Sequence, residues 1–117
     1  MLVRLNQELE AMVAEANLGP CRVSSLSTGT TAPAAMDPGF QTALEAAAAM
    51  HAPGKFQRMP SGAGHDAQIL AGIMPSAMLF VPSIGGVSHH YAEDTNDGDL
   101  VLGCQVFVDA AAALLAG

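Results

Sequence analysis

Ala77-Met78-Leu79-Phe80-Val81, running into Pro82-Ser83-Ile84-Gly85-Gly86-Val87-Ser88-His89-His90, is the stretch from which the fold is read. Five apolar residues in a row, bounded by turn formers, have the pattern of a strand covered on both faces. Upstream, Lys55 to Met59 reads as a shorter strand that ends in the Gly-rich turn Ser61-Gly62-Ala63-Gly64-His65-Asp66. Between the two lies a short helix carrying Ile69, Leu70 and Ile73 and stopping near Pro75. Downstream, a second long turn from Pro82 to Asp94 leads to a helix predicted from about Asn96 to Leu115. Its apolar stripe is Leu100, Val101, Cys104, Phe107, Val108, Ala111 and Leu114, with Thr95 or Asn96 as its cap. Strand, helix, strand is the order of a parallel crossover, because parallel strands need such a connection. If the strands share a sheet, both turns lie at its carboxyl edge, where open α/β sheets place ligands. Ser61 to Asp66 and Ser83 to Asp94 are therefore expected to face one cleft.

Working outward, Asp37 followed by Pro38 predicts a helix start, with Asp as cap and Pro in the first turn. Phe40, Leu44, Ala47 and Ala48 form its buried face, and Ala52-Pro53-Gly54 closes it after His51. At the front, Leu2, Leu5, Leu9, Met12, Val13 and Ala16 share one helical stripe that Gly19-Pro20 terminates. Cys21 to Thr31 follows as an extended Ser/Thr-rich stretch. No Ser, Thr, Asp or Asn precedes the first helix as a cap, so the chain is expected to begin in mid-element.

The 117 residues allow one domain more readily than two. Half are hydrophobic, which opposes disorder, but aromatics supply only 4% and Ala is abundant, so each buried side chain contributes little area. Four Lys and Arg against a net charge of -7 provide no basic patch for nucleic acid or anionic membrane. No run approaches the roughly 18 consecutive apolar residues of a membrane span. Cys21 and Cys104 read as buried, reduced thiols, and the chain as cytoplasmic.

The chemistry-bearing residues gather on the two turns. Gly62-Ala63-Gly64 before a helix suits either backbone N–H groups presented to an anion or a sharp turn needing positive φ. His65 and Asp66 are adjacent and so face apart, which favours separate roles. His89 and His90 with Glu93 suggest an imidazole metal ligand oriented by a carboxylate. Consecutive His side chains do not readily reach one ion, so at most one is a ligand. A nucleophile is disfavoured, since there is no G-x-S-x-G turn and neither Cys has a neighbouring His.

Met59-Pro60-Ser61-Gly62-Ala63-Gly64-His65-Asp66-Ala67, Phe80 to His89, and Glu93-Asp94-Thr95 together resemble the C-terminal signature of the metal-dependent amidohydrolases of the hydantoin-utilisation type. That family includes N-carbamoyl-L-amino acid hydrolases, β-ureidopropionases and allantoate amidohydrolases, relatives of the aminoacylase and carboxypeptidase metallopeptidases. The resemblance implies an α/β fold: part of a three-layer sheet with helices on both faces, containing a strand–helix–strand–helix unit. Residues 1–33 are expected as the remnant of an inserted, ferredoxin-like dimerisation (lid) domain, contributing a helix and a strand. Residues 34–117 are expected as the C-terminal part of the catalytic domain.

The resemblance also assigns roles. His89 matches a ligand of one of two catalytic divalent ions, zinc or manganese, with Val87 replacing the usual Ile. Gly64 and His65 match positions lining the substrate site, and Glu93 and Asp66 are carboxylates expected behind them. The implied reaction is hydrolysis of linear amide or carbamoyl C–N bonds by metal-activated water, with a Glu as general base. The family's other ligands, that Glu and its substrate-binding Arg precede the residues present here. The chain by itself is thus expected to lack a complete site, to hold no metal tightly, and to form a homo-oligomer through faces left uncovered. The competing expectations are a non-catalytic oligomerising domain that keeps part of the fold, and an anion site on the Gly62 to Asp66 turn.

Overall fold

The computed structural model describes residues 2–29 and 31–116, with the side chain of Leu2 also outside the described set. The elements in chain order are α1 (Leu2–Ala16), α2 (Pro38–His51), α3 (Asp66–Leu70) and α4 (Asp97–Ala116), with a 3-10 turn at Ile84–Gly86 before α4. The chain divides into two compact units, Met1–Ala32 and Pro33–Gly117.

In the first unit α1 is an amphipathic helix, and Leu5, Leu9 and Met12 of its predicted stripe are exposed. Its end is organised by Asn17 as well as by Gly19-Pro20. The Asn17 amide donates to the carbonyls of Val13 and Val23, each at 2.9 Å. Its Oδ1 accepts from Val23 N–H at 2.9 Å, so one side chain closes the helix and reverses the chain. The following stretch is not a strand over its described residues; Thr30 lies outside them.

The second unit is built on α2 and α4. α2 starts as its sequence requires: Asp37 has extended backbone and its Oδ1 accepts from Phe40 N–H at 2.9 Å, with Pro38 in the first turn. α2 packs on α4 through Ala47 and Ala48 against Val106 and Ala110, with Ala43 and Leu44 alongside. Among the described residues the buried set is Ala47, Ala48, Ala52, Val106 and Ala110. A core of four alanines and one valine removes little apolar area from water, since each Ala side chain is a single methyl.

Two predictions are corrected here. The face of α4 that meets α2 carries Val106 and Ala110, whereas the predicted stripe is largely solvent-facing, with Leu100 52%, Phe107 61% and Val108 61% exposed. The helix is apolar nearly all round, so periodicity alone does not select the face that a small-residue partner will cover. By length and composition α4 is also apolar enough to cross a membrane, although it carries Asp97, Asp99 and Asp109.

The second correction concerns the sheet. Neither 55–59 nor 77–81 is a strand, and no strand occurs among the described residues. A strand exists only through ladder hydrogen bonds to a neighbour, and these two segments do not pair with one another. Segment 77–81 is instead held against α4. Val81 approaches so closely that a Cβ placed on Gly103 would overlap Val81 Cγ1. Just before it, Ser76 C=O accepts from Asp37 N–H at 2.8 Å, tying the segment to the start of α2. Segment 55–59 is fixed to α2 by Arg58, whose Nε and Nη2 each donate to a Glu45 carboxylate oxygen at 2.6 Å. Its Nη1 reaches Gln41 Oε1 at 2.8 Å.

Candidate functional site

The Gly-rich turn 61–66 leads into α3, for which His65 is the N-cap residue in extended conformation. His65 does not cap with its side chain. Its Nε2 lies 2.8 Å from Ser61 Oγ, which also accepts from Ala63 N–H at 3.2 Å. The imidazole meets Phe80 edge-on, with ring centroids 5.4 Å apart and planes at 61°. That contact joins the first turn to the apolar segment leading into the second. Asp66 is exposed as the first residue of α3, where its charge suits the helix end.

The two glycines flanking Ala63 correct one reading of the turn. Neither Gly62 nor Gly64 has the positive φ that a sharp turn would demand, and a Cβ on either would meet nothing in the chain. What their lack of a side chain leaves open is space in front of the backbone.

The second turn is closed on itself. Ile84 N–H donates to Asp94 C=O at 2.8 Å, bringing its two ends together. Gly85 and Gly86 have φ of 67° and 69°, a conformation that Gly adopts freely and that reverses the chain after Ile84. His89 also has positive φ, 55°, an uncommon state for a residue with a Cβ. Glu93 Oε2 stabilises it by accepting from His89 N–H at 2.7 Å. The carboxylate therefore orients the main chain of His89 and not its ring, as the sequence had suggested. The His89 imidazole is exposed and makes no hydrogen bond among the described residues. His90 is used within the loop: its Nδ1 accepts from Ala92 N–H at 3.2 Å and its ring lies 4.2 Å from that of Tyr91.

The turns do not merge into one closed site. Among the described residues no hydrogen bond or ion pair links His65 or Asp66 to His89, His90 or Glu93. No group of three His, Cys, Asp or Glu there is arranged to hold a metal ion. The donors gathered on these turns fall short of the three or so protein ligands of a catalytic zinc.

Sequence reasoning missed one further pair. His51 at the end of α2 and Asp109 of α4 meet through Nε2 and Oδ2 at 2.6 Å, at the edge of an apolar groove of about 450 Å³ that also includes Cys104 and Val108. Fifty-eight positions separate the partners, so no local pattern announces the contact. Both Cys21 and Cys104 are free thiols, as expected, but exposed and not buried. Cys104 is uncovered because it lies on the face of α4 away from Val106 and Ala110.

Arg58 and Glu45 are the groups whose ionisation the fold clearly shifts. The hydrogen bond from Arg58 holds the Glu45 carboxyl below its usual range despite some desolvation, with charge attraction adding to it, and the same bond raises Arg58.

Known proteins place these turns in context. The solved structure of an amidase of the hydantoinase/carbamoylase family from Burkholderia phymatum superposes with a TM-score of 0.81 and 41% identity, over 97% of this chain and 27% of that one. Allantoate amidohydrolase of Escherichia coli is 56% identical over 48 residues, 41% of this chain and 12% of its own length. The Bacillus subtilis allantoate amidohydrolase is 44% identical over 70 residues, covering 60% of this chain and 16% of the relative. An N-carbamoyl-L-amino acid amidohydrolase of Geobacillus stearothermophilus is 48% identical over 48 residues, 41% of this chain and 12% of that protein. The matches thus span between an eighth and about a quarter of these relatives' lengths. Residues 6–113 match peptidase family M20/M25/M40, and with nearly the whole sequence inside that match, the chain belongs to this family.

Proposed function

We propose that this chain supplies the C-terminal part of a metal-dependent hydrolase that cleaves linear amide or carbamoyl C–N bonds, of the N-carbamoyl amino acid or allantoate type. The observation that carries the reading is His89: an exposed imidazole free of hydrogen bonds, on a main chain held at φ 55° by Glu93. Strain of this kind costs on the order of 1–3 kcal/mol and is characteristic of functional positions. The relatives' names support the substrate class, and the open backbone at Gly64 beside His65 supports a ligand there.

In this reading His89 is one ligand of a zinc or manganese ion. A bound divalent ion would polarise the scissile carbonyl and acidify water. Glu93 keeps the His89 loop in its presenting conformation. Gly64 lets the substrate approach the backbone, and His65, steadied by Ser61 and Phe80, contacts it. The remaining ligands and the general base come from sequence outside these residues, so this stretch alone binds metal weakly and is inactive. Residues 1–33 belong to the lid domain of the same enzyme and 34–117 to its catalytic domain, where 55–59 and 77–81 acquire sheet partners. The exposed thiols suit the cytoplasm, where cysteines stay reduced.

A chimera tests this. Replacing the matching segment of the Burkholderia phymatum amidase by this chain yields an enzyme expected to hydrolyse N-carbamoyl amino acids or allantoate with added zinc or manganese. His89→Ala abolishes that turnover, and activity surviving the substitution refutes the assignment. A second reading, a non-catalytic oligomerising domain, is favoured by one observation, the uncovered apolar face of α4. It predicts that the chimera is inactive while the isolated chain is a stable oligomer.

A further inference from the structure

We propose that Ser61 is a positioning residue that fixes His65 as the neutral Nδ1–H tautomer, making the imidazole a hydrogen-bond donor to an acceptor oxygen of the ligand. The ligand clause rests on the proposed function, whereas the tautomer does not.

Two observations carry the inference. The first is the chain of contacts at Ser61. Its Oγ accepts from Ala63 N–H at 3.2 Å and sits 2.8 Å from His65 Nε2. A hydroxyl that accepts one hydrogen bond becomes a better donor, and an unprotonated imidazole nitrogen is a strong acceptor for it. The hydroxyl proton is therefore directed at Nε2, which places the ring proton on Nδ1. With Nε2–H instead, one oxygen would receive two donors and its own proton would be left to solvent.

The second observation is independent of Ser61. His65 occupies the N-cap position of α3, where a side-chain acceptor normally takes an N–H two or three residues on. His65 makes no such bond. His90, in the second turn, shows an unprotonated Nδ1 taking a nearby main-chain donor, Ala92 N–H at 3.2 Å. The Gln68 N–H that such a cap would serve donates instead to the His65 carbonyl at 2.9 Å, so the ring is not drawn into capping α3, in keeping with an Nδ1 that carries a proton and has no lone pair to offer. The ring that turns Nε2 toward Ser61 also meets Phe80 edge-on, with centroids 5.4 Å apart.

The chemistry this selects is an acceptor. A ligand carboxylate, or the carbonyl of a carbamoyl or ureido group, satisfies an Nδ1–H; an ammonium group does not. Ser61 thus acts on the ligand through His65.

Long-range ¹H–¹⁵N correlation spectra of the uniformly ¹⁵N-labelled chain, at alkaline pH where imidazole is neutral, read the tautomer directly. The expected result is a pyrrole-type Nδ1 and a pyridine-type Nε2 for His65, lost to the Nε2–H form in Ser61→Ala and retained in Ser61→Thr. An Nε2–H form in the unsubstituted chain, or no change in Ser61→Ala, overturns the proposal; if the Ala variant fails to fold, the unsubstituted and Thr spectra decide it. In the chimeric enzyme, Ser61→Ala should raise KM about fivefold with a smaller effect on kcat, the scale of one neutral hydrogen bond. An unchanged KM overturns the ligand clause. A chimera without activity refutes the hydrolase reading while the tautomer spectra still decide the role of Ser61.

Discussion

Gly103→Ala places the packing of the apolar segment on α4 under direct test. Gly103 lies in the interior of a 20-residue helix, where Ala is favoured over Gly by about 1 kcal/mol. From propensity alone the substitution should stabilise. The structure argues the reverse, because the new methyl would overlap Val81 Cγ1. Val is β-branched and stiff at χ1, so that methyl does not swing aside without leaving its rotamer. Overpacking of this kind costs about 1–3 kcal/mol, and taking about 2 as the central value leaves a net loss of about 1 kcal/mol. In a Val81→Ala background the overlap disappears and only propensity remains, so Gly103→Ala should then gain about 1 kcal/mol. The sign reversal corresponds to a coupling of about 2 kcal/mol between the two positions, well above the scatter of additive pairs. Urea unfolding followed by far-UV circular dichroism measures all four chains, which suits a sequence without Trp. Stabilisation by Gly103→Ala in both backgrounds would refute the close approach of segment 77–81 to α4.

Three further outcomes are expected. Asp37→Ala removes the acceptor for Phe40 N–H and should cost about 1 kcal/mol in the same unfolding assay, whereas Asp37→Asn should cost much less. Glu45 has its folded pKa depressed by Arg58, so its contribution is complete above the unfolded carboxylate value of about 4.3 and disappears as pH falls through the lower folded value. Urea midpoints at stepped acidic pH should therefore fall less steeply in Glu45→Gln than in the unsubstituted chain, and parallel slopes would count against the pair. The exposed Leu100, Val101, Phe107 and Val108 predict that the isolated chain self-associates, and sedimentation showing a monomer at high concentration would argue otherwise.

The site was legible to unequal degrees. His65 and His89 are singled out in sequence by the motifs that resemble the amidohydrolase signature, and His89 also by His90 and Glu93 close to it. The contact of His65 with Phe80, the αL conformation of His89 and the way Glu93 holds it by the main-chain N–H were not legible. They depend on where the chain returns in space, and no spacing rule encodes that. Ser61 was visible only as a turn residue, and His51 with Asp109 not at all, because the two are brought together by the packing of α2 on α4.

By itself the sequence determined the local elements: the start of α2 at Asp37-Pro38, its end at His51, the long apolar α4, and the two motif turns with their histidines. These follow from backbone chemistry acting within a few residues, where capping, proline φ and glycine freedom leave few alternatives. Tertiary structure alone decided which face of α4 is buried, since a helix apolar nearly all round offers several faces and the small Ala47 and Ala48 select the one they can approach most closely. It also decided that 55–59 and 77–81 are not strands among these residues. A strand is a property of two segments, because its hydrogen bonds must be made to a neighbour, and one sequence run carries only half of that bargain.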